Sequence, residues 1–246
     1  MPQFAVIIPA AGGSTRFRDK NYKKPFIQLG GRAVWMHAAE KFLARNDVKQ
    51  LLLVIAREDR ESFTDKFGAN IALMGVELVE GGRERCDSVQ NALARVKADI
   101  DFVAIHDAAR PCLADEWISN VFETAAKTGA AMLGLSVSST LKRVGPDHTV
   151  QETVSRENLW EAQTPQVFQR QLLLDAYARR GSLAATDDAQ LVERLGQKVT
   201  VVPGSAMNLK ITTKDDLRLA EAVLKVLPKP RLLGPAHPIE NDDMWR

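Results

Sequence analysis

An α/β doubly wound architecture, with helices on both faces of a mainly parallel sheet, follows from three features of this chain. Short apolar runs recur without polar alternation, helical stripes separate them, and a glycine turn follows the first run directly. The runs at residues 5–9, 51–56, 76–79, 102–106, 131–137 and 198–202 read as strands. Continuous apolar character suits strands buried on both faces, which is the situation of a parallel sheet. Between them, Val89, Ala92, Leu93 and Val96 in residues 87–97 fall at i, i+3, i+4 and i+7, a stripe that packs one helix face on a sheet. Leu217, Ala220, Leu224 and Leu227 form a similar stripe near the C-terminus, opened by Thr213 and Asp216 in an N-cap arrangement.

One segment breaks the rhythm. Residues 138–160 are polar and β-prone, with Gly145-Pro146-Asp147 as a turn signal. Leu141, Arg143 and Val144 before the turn, and residues 149–154 after it, predict a hairpin. A lone hairpin is marginal in water, so this one is expected to project as a β-arm and pack on a second subunit. Residues 1–227 then form one domain that includes the arm. Residues 228–246 carry Pro228, Pro230, Pro235 and Pro238 without helical or strand period and read as a C-terminal extension.

Composition narrows the function classes. The chain has 246 residues, of which 45% are hydrophobic and 26% charged, enough for a sizeable core. Lys plus Arg is 33 against 31 Asp plus Glu, too balanced for bulk nucleic-acid binding. No run approaches the roughly 20 apolar residues of a membrane helix, and the N-terminal residues read as a first strand rather than a signal peptide. Cys86 and Cys112 are the only cysteines, too few for a disulfide framework or a zinc site. Two reduced structural thiols in a cytoplasmic protein is the expectation.

The chemistry concentrates after the first strand, in Pro9-Ala10-Ala11-Gly12-Gly13-Ser14-Thr15-Arg16. Neither a dinucleotide fingerprint nor a Walker A loop is present. The carboxyl end of a strand is nevertheless where open α/β sheets bind ligands. Gly12 and Gly13 let backbone N–H groups approach phosphate oxygens. Arg16, Arg18, Lys20, Lys23 and Lys24 then put five cations in nine residues, with only Asp19 against them. Beside a glycine turn, such a cluster suits a polyphosphate clamp.

The pattern of motifs is specific. Pro9-Ala10-Ala11-Gly12 with Arg16 and Lys24 resembles the signature of the sugar-phosphate nucleotidyltransferases. Gly81-Gly82-Arg83-Glu84-Arg85-Cys86-Asp87-Ser88-Val89 resembles a cytidylyltransferase element. His106-Asp107-Ala108-Ala109-Arg110-Pro111 is similar to that of the 2-C-methyl-D-erythritol 4-phosphate cytidylyltransferases. Arg156, Trp160, Thr164-Pro165-Gln166, Thr186-Asp187 and Asn208-Leu209-Lys210-Ile211-Thr212 continue the match in order, from about Ala5 to Leu227.

The resemblance implies a Rossmann-like nucleotidyltransferase fold. It also implies transfer of a cytidylyl group from CTP to methylerythritol phosphate, with Mg²⁺, in the non-mevalonate isoprenoid precursor pathway. By position it assigns Arg16 and Lys24 to the transition state. Fixed donors at developing charge contribute ~2.7–4 kcal/mol each by analogy with an oxyanion hole. Ala10, Ala11, Gly12, Gly13, Gly82, Arg85 and Ser88 would bind the nucleotide. Arg156, Lys210, Thr140, Thr164, Asp107 and Arg110 would position the acceptor. Asp107 is also a candidate Mg²⁺ ligand, although Mg²⁺ is often held mainly by phosphates and water. In the family the arm exchanges between subunits, so Arg156 and Thr140 would serve a partner's site in a homodimer.

Two positions depart from the family pattern. The usual Pro-Lys-Gln around the catalytic lysine reads Lys23-Lys24-Pro25; counting on to Gln28-Leu29-Gly30 selects Lys24 and leaves Lys23 as the alternative. Arg83 stands where an acid is common, with no role assigned. His106 reads as a structural hydrogen-bonding residue, because an ionised acceptor phosphate needs no general base. Trp35, Trp117 and Trp160 read as core or arm-packing residues. Two alternatives stay open: a ribitol 5-phosphate cytidylyltransferase, against which Ala108-Ala109 speaks, and a non-catalytic CTP-binding protein.

Overall fold

The computed structural model of the chain describes residues 1–12 and 26–228. Strand β1 (Phe4–Pro9) leads, beyond the undescribed stretch, to a two-residue hairpin of β2 (Gln28–Leu29) and β3 (Arg32–Ala33), then α1 (Val34–Leu43) and β4 (Val48–Ile55). A 3₁₀ turn (Arg57–Asp59) precedes α2 (Arg60–Met74), β5 (Glu77–Glu80), α3 (Arg85–Leu93), β6 (Phe102–Ile105), α4 (Asp115–Thr128) and β7 (Ala130–Ser136). The hairpin β8 (Leu141–Val144) and β9 (Val150–Val154) follows, then β10 (Trp160–Gln169), α5 (Arg170–Ala178), α6 (Ala189–Glu193), β11 (Thr200–Pro203) and α7 (Lys214–Val226).

Seven strands form one sheet in the order β11-β7-β10-β6-β1-β4-β5. Every neighbour pair is parallel except the two made by β10, which runs against both β6 and β7. Successive residues of β1 serve opposite faces, as the pleat requires. Phe4, Val6 and Ile8 join a core built with α1, α2 and α4, whereas Ala5 and Ile7 join one built with α3, α5 and α6. Strands sandwiched this way need apolar residues at every position, which accounts for the unbroken runs. Phe4 stacks on Phe122 of α4 at 4.0 Å between centroids, and burying a ring of this size contributes ~1.5–3 kcal/mol. Trp35 is buried, Trp117 packs against the same core, and Trp160 is half exposed on β10.

Strand β10 is absent from the expected strands. Gln163, Thr164, Pro165 and Gln166 interrupt its apolar character, and proline is unfavourable inside a sheet. The structure accommodates them where the pairing with β7 shifts register between Ala162 and Gln166. The three polar residues are buried, and side-chain hydrogen bonds satisfy them. The other expected strands appear with ends displaced by up to three residues, β4 starting at Val48 and β11 at Thr200. The expected helix at residues 87–97 is α3, which starts two residues earlier and ends at Leu93; Val96 still packs in the same core. Helix α7 opens on the expected Thr213 cap, whose hydroxyl accepts from the Asp216 amide at 3.1 Å.

The hairpin of β8 and β9 pairs Leu141 with Val154 and leaves most of its side chains exposed. Its turn places His148 at φ 62° and closes on Asp147, which accepts from Thr149. Cys86 and Cys112 are both free and buried. No helix among the described residues is long and apolar enough to cross a membrane. The extension at residues 228–246 lies outside the described residues after Pro228.

Candidate active site

Strand order reverses at β1: β4 and β5 lie on one side, β6 on the other. Parallel strands diverge at their carboxyl ends at such a point and leave a crevice. The loops after β1, β5 and β6 line a cleft of about 400 Å³ there, a volume suited to a small-molecule ligand. Ala10, Ala11, Gly12, Gly82, Arg85, Ser88, Asp107 and Lys210 all line it, so the fold gathers residues up to 200 positions apart. Ile27 and Val34 supply an apolar wall, a contribution with no signal in the motifs. Gly13, Arg16, Lys23 and Lys24 lie outside the described residues; Gly12 and Ile27, on either side of that stretch, both line the cleft.

The glycines have a steric cause. A Cβ on Gly81 would overlap the Ala11 side chain and sit 3.1 Å from Ser88 Oγ, so the β1 and β5 loops touch through a missing side chain. A Cβ on Gly82 would overlap Asp87. The Gly82 amide donates to Ser88 Oγ at 3.1 Å, and that hydroxyl donates to Glu84 O at 3.1 Å. Helix α3 begins at the cleft with a capping box between Glu84 and Asp87, so its first turn, with Arg85 and Ser88, forms part of the cleft wall.

Asp107 sits among three cations. Lys210 Nζ is 2.6 Å from Oδ2, Arg85 Nη2 3.5 Å from Oδ1, and Arg110 Nε 3.9 Å from Oδ2. Burial alone would raise its pKa, but the Arg85, Lys210 and Arg110 charges outweigh that and hold the carboxyl well below the usual range. The Asp107 amide donates to Thr164 Oγ1 at 3.0 Å. Behind it, His106 is fully buried. Its Nε2 donates to Arg110 O at 2.9 Å, which leaves Nδ1 to accept from Thr164 Oγ1 at 3.2 Å. Burial pushes the His106 pKa down to about 4. Neutral and saturated, it has the structural role expected of it.

Thr164 and Arg110 therefore stand behind the cleft rather than in its lining. Arg110 donates to Asn208 O at 2.6 Å and reaches Ala162 O at 3.4 Å. Thr140 and Arg156 belong to the hairpin segment, where Arg156 donates to Ser138 O; neither lines the cleft. Two residues that motif reading did not single out complete the wall from behind. Asp188 is fully buried, accepts from Arg85 Nη2 at 2.8 Å, and is itself held by Tyr177 Oη at 2.6 Å. Only its place beside Thr186-Asp187 hinted at it, since Arg85 is 103 positions away.

Among the described residues, the carboxylates lining the cleft are Glu84 and Asp107, and no cluster of three or more His, Cys, Asp or Glu is arranged to hold a metal. Such a donor set fits a divalent ion carried on phosphates and water with at most a carboxylate or two. Asp107 Oδ2 already holds Lys210, so direct ligation would fall to Oδ1, which lies 3.5 Å from Arg85 Nη2.

A family model described as 2-C-methyl-D-erythritol 4-phosphate cytidylyltransferase matches residues 4–226. A 2-C-methyl-D-erythritol 4-phosphate cytidylyltransferase of Rhodopirellula baltica is 44% identical over 231 residues, covering 89% of this chain and 94% of the relative. One from Endomicrobium trichonymphae is 42% identical, covering 90% and 98%. The crystal structure of the Thermus thermophilus enzyme of that name is 36% identical, with a TM-score of 0.73 over 92% of this chain and 100% of that one. The 4-diphosphocytidyl-2C-methyl-D-erythritol synthase of Anaerococcus prevotii superposes with a TM-score of 0.75 at 27% identity, over 91% and 99%. With ordered motifs, fold and cleft all in agreement, the chain belongs to the 2-C-methyl-D-erythritol 4-phosphate cytidylyltransferase family.

Proposed function

We propose that the protein transfers the cytidylyl group of CTP to 2-C-methyl-D-erythritol 4-phosphate, giving 4-diphosphocytidyl-2-C-methyl-D-erythritol and pyrophosphate in the non-mevalonate isoprenoid precursor pathway. The observation that carries this reading is the switch-point cleft, where the glycine loops after β1 and β5, the start of α3 and the Arg85–Asp107–Lys210 cluster face one space. A phosphate oxygen of the acceptor attacks the α-phosphorus, the bond to the bridging oxygen breaks, and pyrophosphate leaves with the electron pair. Such a transfer needs positioning and charge more than covalent chemistry. Ala10, Ala11, Gly12, Gly82 and Ser88 present short polar groups to a pyrimidine nucleotide, while Asp107 is poised for a ribose or acceptor hydroxyl. Lys210 and Arg156 would hold the acceptor phosphate, with Arg110 and Thr164 supporting Asp107 from behind.

Arg16 and Lys24, on the loop whose ends line the cleft, are the proposed transition-state cations. Mg²⁺ bound mainly through the triphosphate would neutralise charge on the leaving group. We place Arg156 and Thr140 in the site of a partner subunit within a homodimer, because the exposed arm holds them outside this subunit's cleft. Buried free thiols agree with a cytoplasmic setting.

The test is pyrophosphate release by purified protein with CTP, Mg²⁺ and either methylerythritol phosphate or ribitol 5-phosphate. Preference for ribitol phosphate overturns the acceptor, and CTP binding without turnover on any acceptor overturns catalysis. Lys24→Ala is expected to lower kcat by about 100-fold or more. The same loss in Lys23→Ala instead would move the catalytic role by one residue.

A further inference from the structure

Behind the cleft wall, five side chains form a continuous line: Tyr177, Asp188, Arg85, Asp107 and Lys210. Its outer end, Lys210, Asp107 and Arg85, faces the ligand space. Its inner end is dry: Asp188 has no exposed surface, and Tyr177 is buried against α3 in the same core. Asp188 is also anchored through its backbone. Its own amide and that of Ala189 both donate to Gln166 Oε1, at 3.1 and 3.0 Å, which ties the start of α6 to β10. Gln166 Nε2 in turn donates to Asp187 at 2.9 Å.

The Arg85–Asp188 contact is not arranged for maximum strength. A guanidinium and a carboxylate left to themselves pair through two parallel bonds. Here Arg85 offers Asp188 only Nη2, at 2.8 Å, and the same nitrogen points on to Asp107 Oδ1 at 3.5 Å. Arg85 Nη1 is buried and has no hydrogen-bond partner among the described residues. Asp188 spends its second oxygen on Tyr177 instead. The guanidinium is therefore stretched between a fixed anion behind it and a ligand-facing anion in front.

We propose that Asp188, oriented by Tyr177, is a positioning residue that acts through Arg85 to set the nucleotide wall of the cleft. Without the Asp188 charge, Arg85 closes on Asp107, the remaining carboxylate in reach. Asp107 would then be shared between a tight Arg85 pair and Lys210, and drawn from the place it presents to a ligand hydroxyl. The role rests on the function proposed above and adds to it a pair of residues that touch no substrate.

The experiment is a double-mutant cycle on CTP turnover and CTP affinity. Asp188→Asn keeps the shape and removes the charge. It is expected to raise KM for CTP by about tenfold, a size typical of supporting partners, with kcat less affected. In an Arg85→Gln background the same substitution should cost nothing further, because the residue it acts through is gone. Additive losses, or a lowered active fraction with unchanged KM, overturn the proposal in favour of a structural pair. Breaking a buried pair also destabilises, so Tyr177→Phe provides a milder variant. A folded Tyr177→Phe protein with KM for CTP raised about threefold, again only when Arg85 is present, supports the role; an unchanged KM overturns it. Should wild type bind CTP but turn over no acceptor, the proposed function fails; the positioning role is then read from CTP affinity alone, and an unchanged Kd in Asp188→Asn overturns it.

Discussion

At the scale of single residues, His106 and Asp107 are neighbours with opposite electrostatic circumstances. Asp107 is a buried acid made easy to ionise by three cations, whereas His106 is a buried base kept neutral by burial. Both shifts couple to stability. The folded-state pKa of His106, about 4, lies below its ordinary 6.5. As pH falls through 6.5 the unfolded chain therefore takes up a proton that the folded chain refuses, and stability declines until about pH 4. The difference corresponds to ~3 kcal/mol. Asp107 has a depressed pKa, so its contribution is present above the unfolded value of 3.8 and disappears only as pH falls further. Urea unfolding from pH 7 to 4 should show wild type losing stability across this window. His106→Gln, although less stable at pH 7, should show a slope smaller by ~3 kcal/mol over the interval. Equal slopes in the two proteins would assign the acid sensitivity to other groups.

Among the elements, the loops after β1 and β5 differ in what their glycines do. At Gly81 a side chain would collide with Ala11 and crowd Ser88 Oγ and the Ile55 carbonyl, so the two loops must part. At Gly12 a Cβ meets nothing within 4 Å among the described residues. Gly81→Ala is expected to destabilise by ~1–3 kcal/mol through overpacking and to weaken CTP binding at the same time. Gly12→Ala should leave the melting temperature within a few degrees of wild type while still weakening CTP binding, because none of the described residues would feel the added methyl in a position that lines the cleft. Melting curves with and without CTP separate the two. A destabilised Gly12→Ala protein would show that the loop packs on more than a ligand. Strand β10 teaches a related lesson. Gln163, Thr164 and Gln166 are polar in sequence yet buried, because each meets a fixed partner from a distant loop or helix start. One-dimensional periodicity contains no trace of those partners.

On the scale of the whole molecule, a single reversal of strand order at β1 places the ends of β1, β5 and β6 around one cleft, while the β8–β9 arm stands apart with its side chains exposed. If the arm completes the site of a partner, the two activities belong to different chains of one dimer. Arg156→Ala alone should mainly raise KM for the acceptor, and Lys24→Ala alone should nearly abolish turnover. Heterodimers of the two contain one site with both residues intact, so mixing should restore up to half of the wild-type activity per heterodimer. Verified heterodimers with no recovery would locate Arg156 in its own subunit's site or outside any site.

Order along the chain was enough to place six of the seven sheet strands, the capped C-terminal helix and the β8–β9 hairpin, whereas Gly82, Arg85, Ser88, Asp107 and Lys210 of the cleft were named through the family resemblance. Apolar runs, Thr213 with Asp216, Gly145-Pro146-Asp147 and the glycine loops are local patterns, and local patterns reflect backbone preference and burial on neighbouring faces. The antiparallel course of β10, the apolar wall of Ile27 and Val34, and the line from Tyr177 through Asp188 to Arg85 were not legible there. Each depends on which distant segments meet. A buried Asp188 is tolerable only because an arginine 103 positions earlier and a tyrosine 11 positions earlier arrive at its two oxygens, and that meeting is a property of the packed chain rather than of any stretch of it.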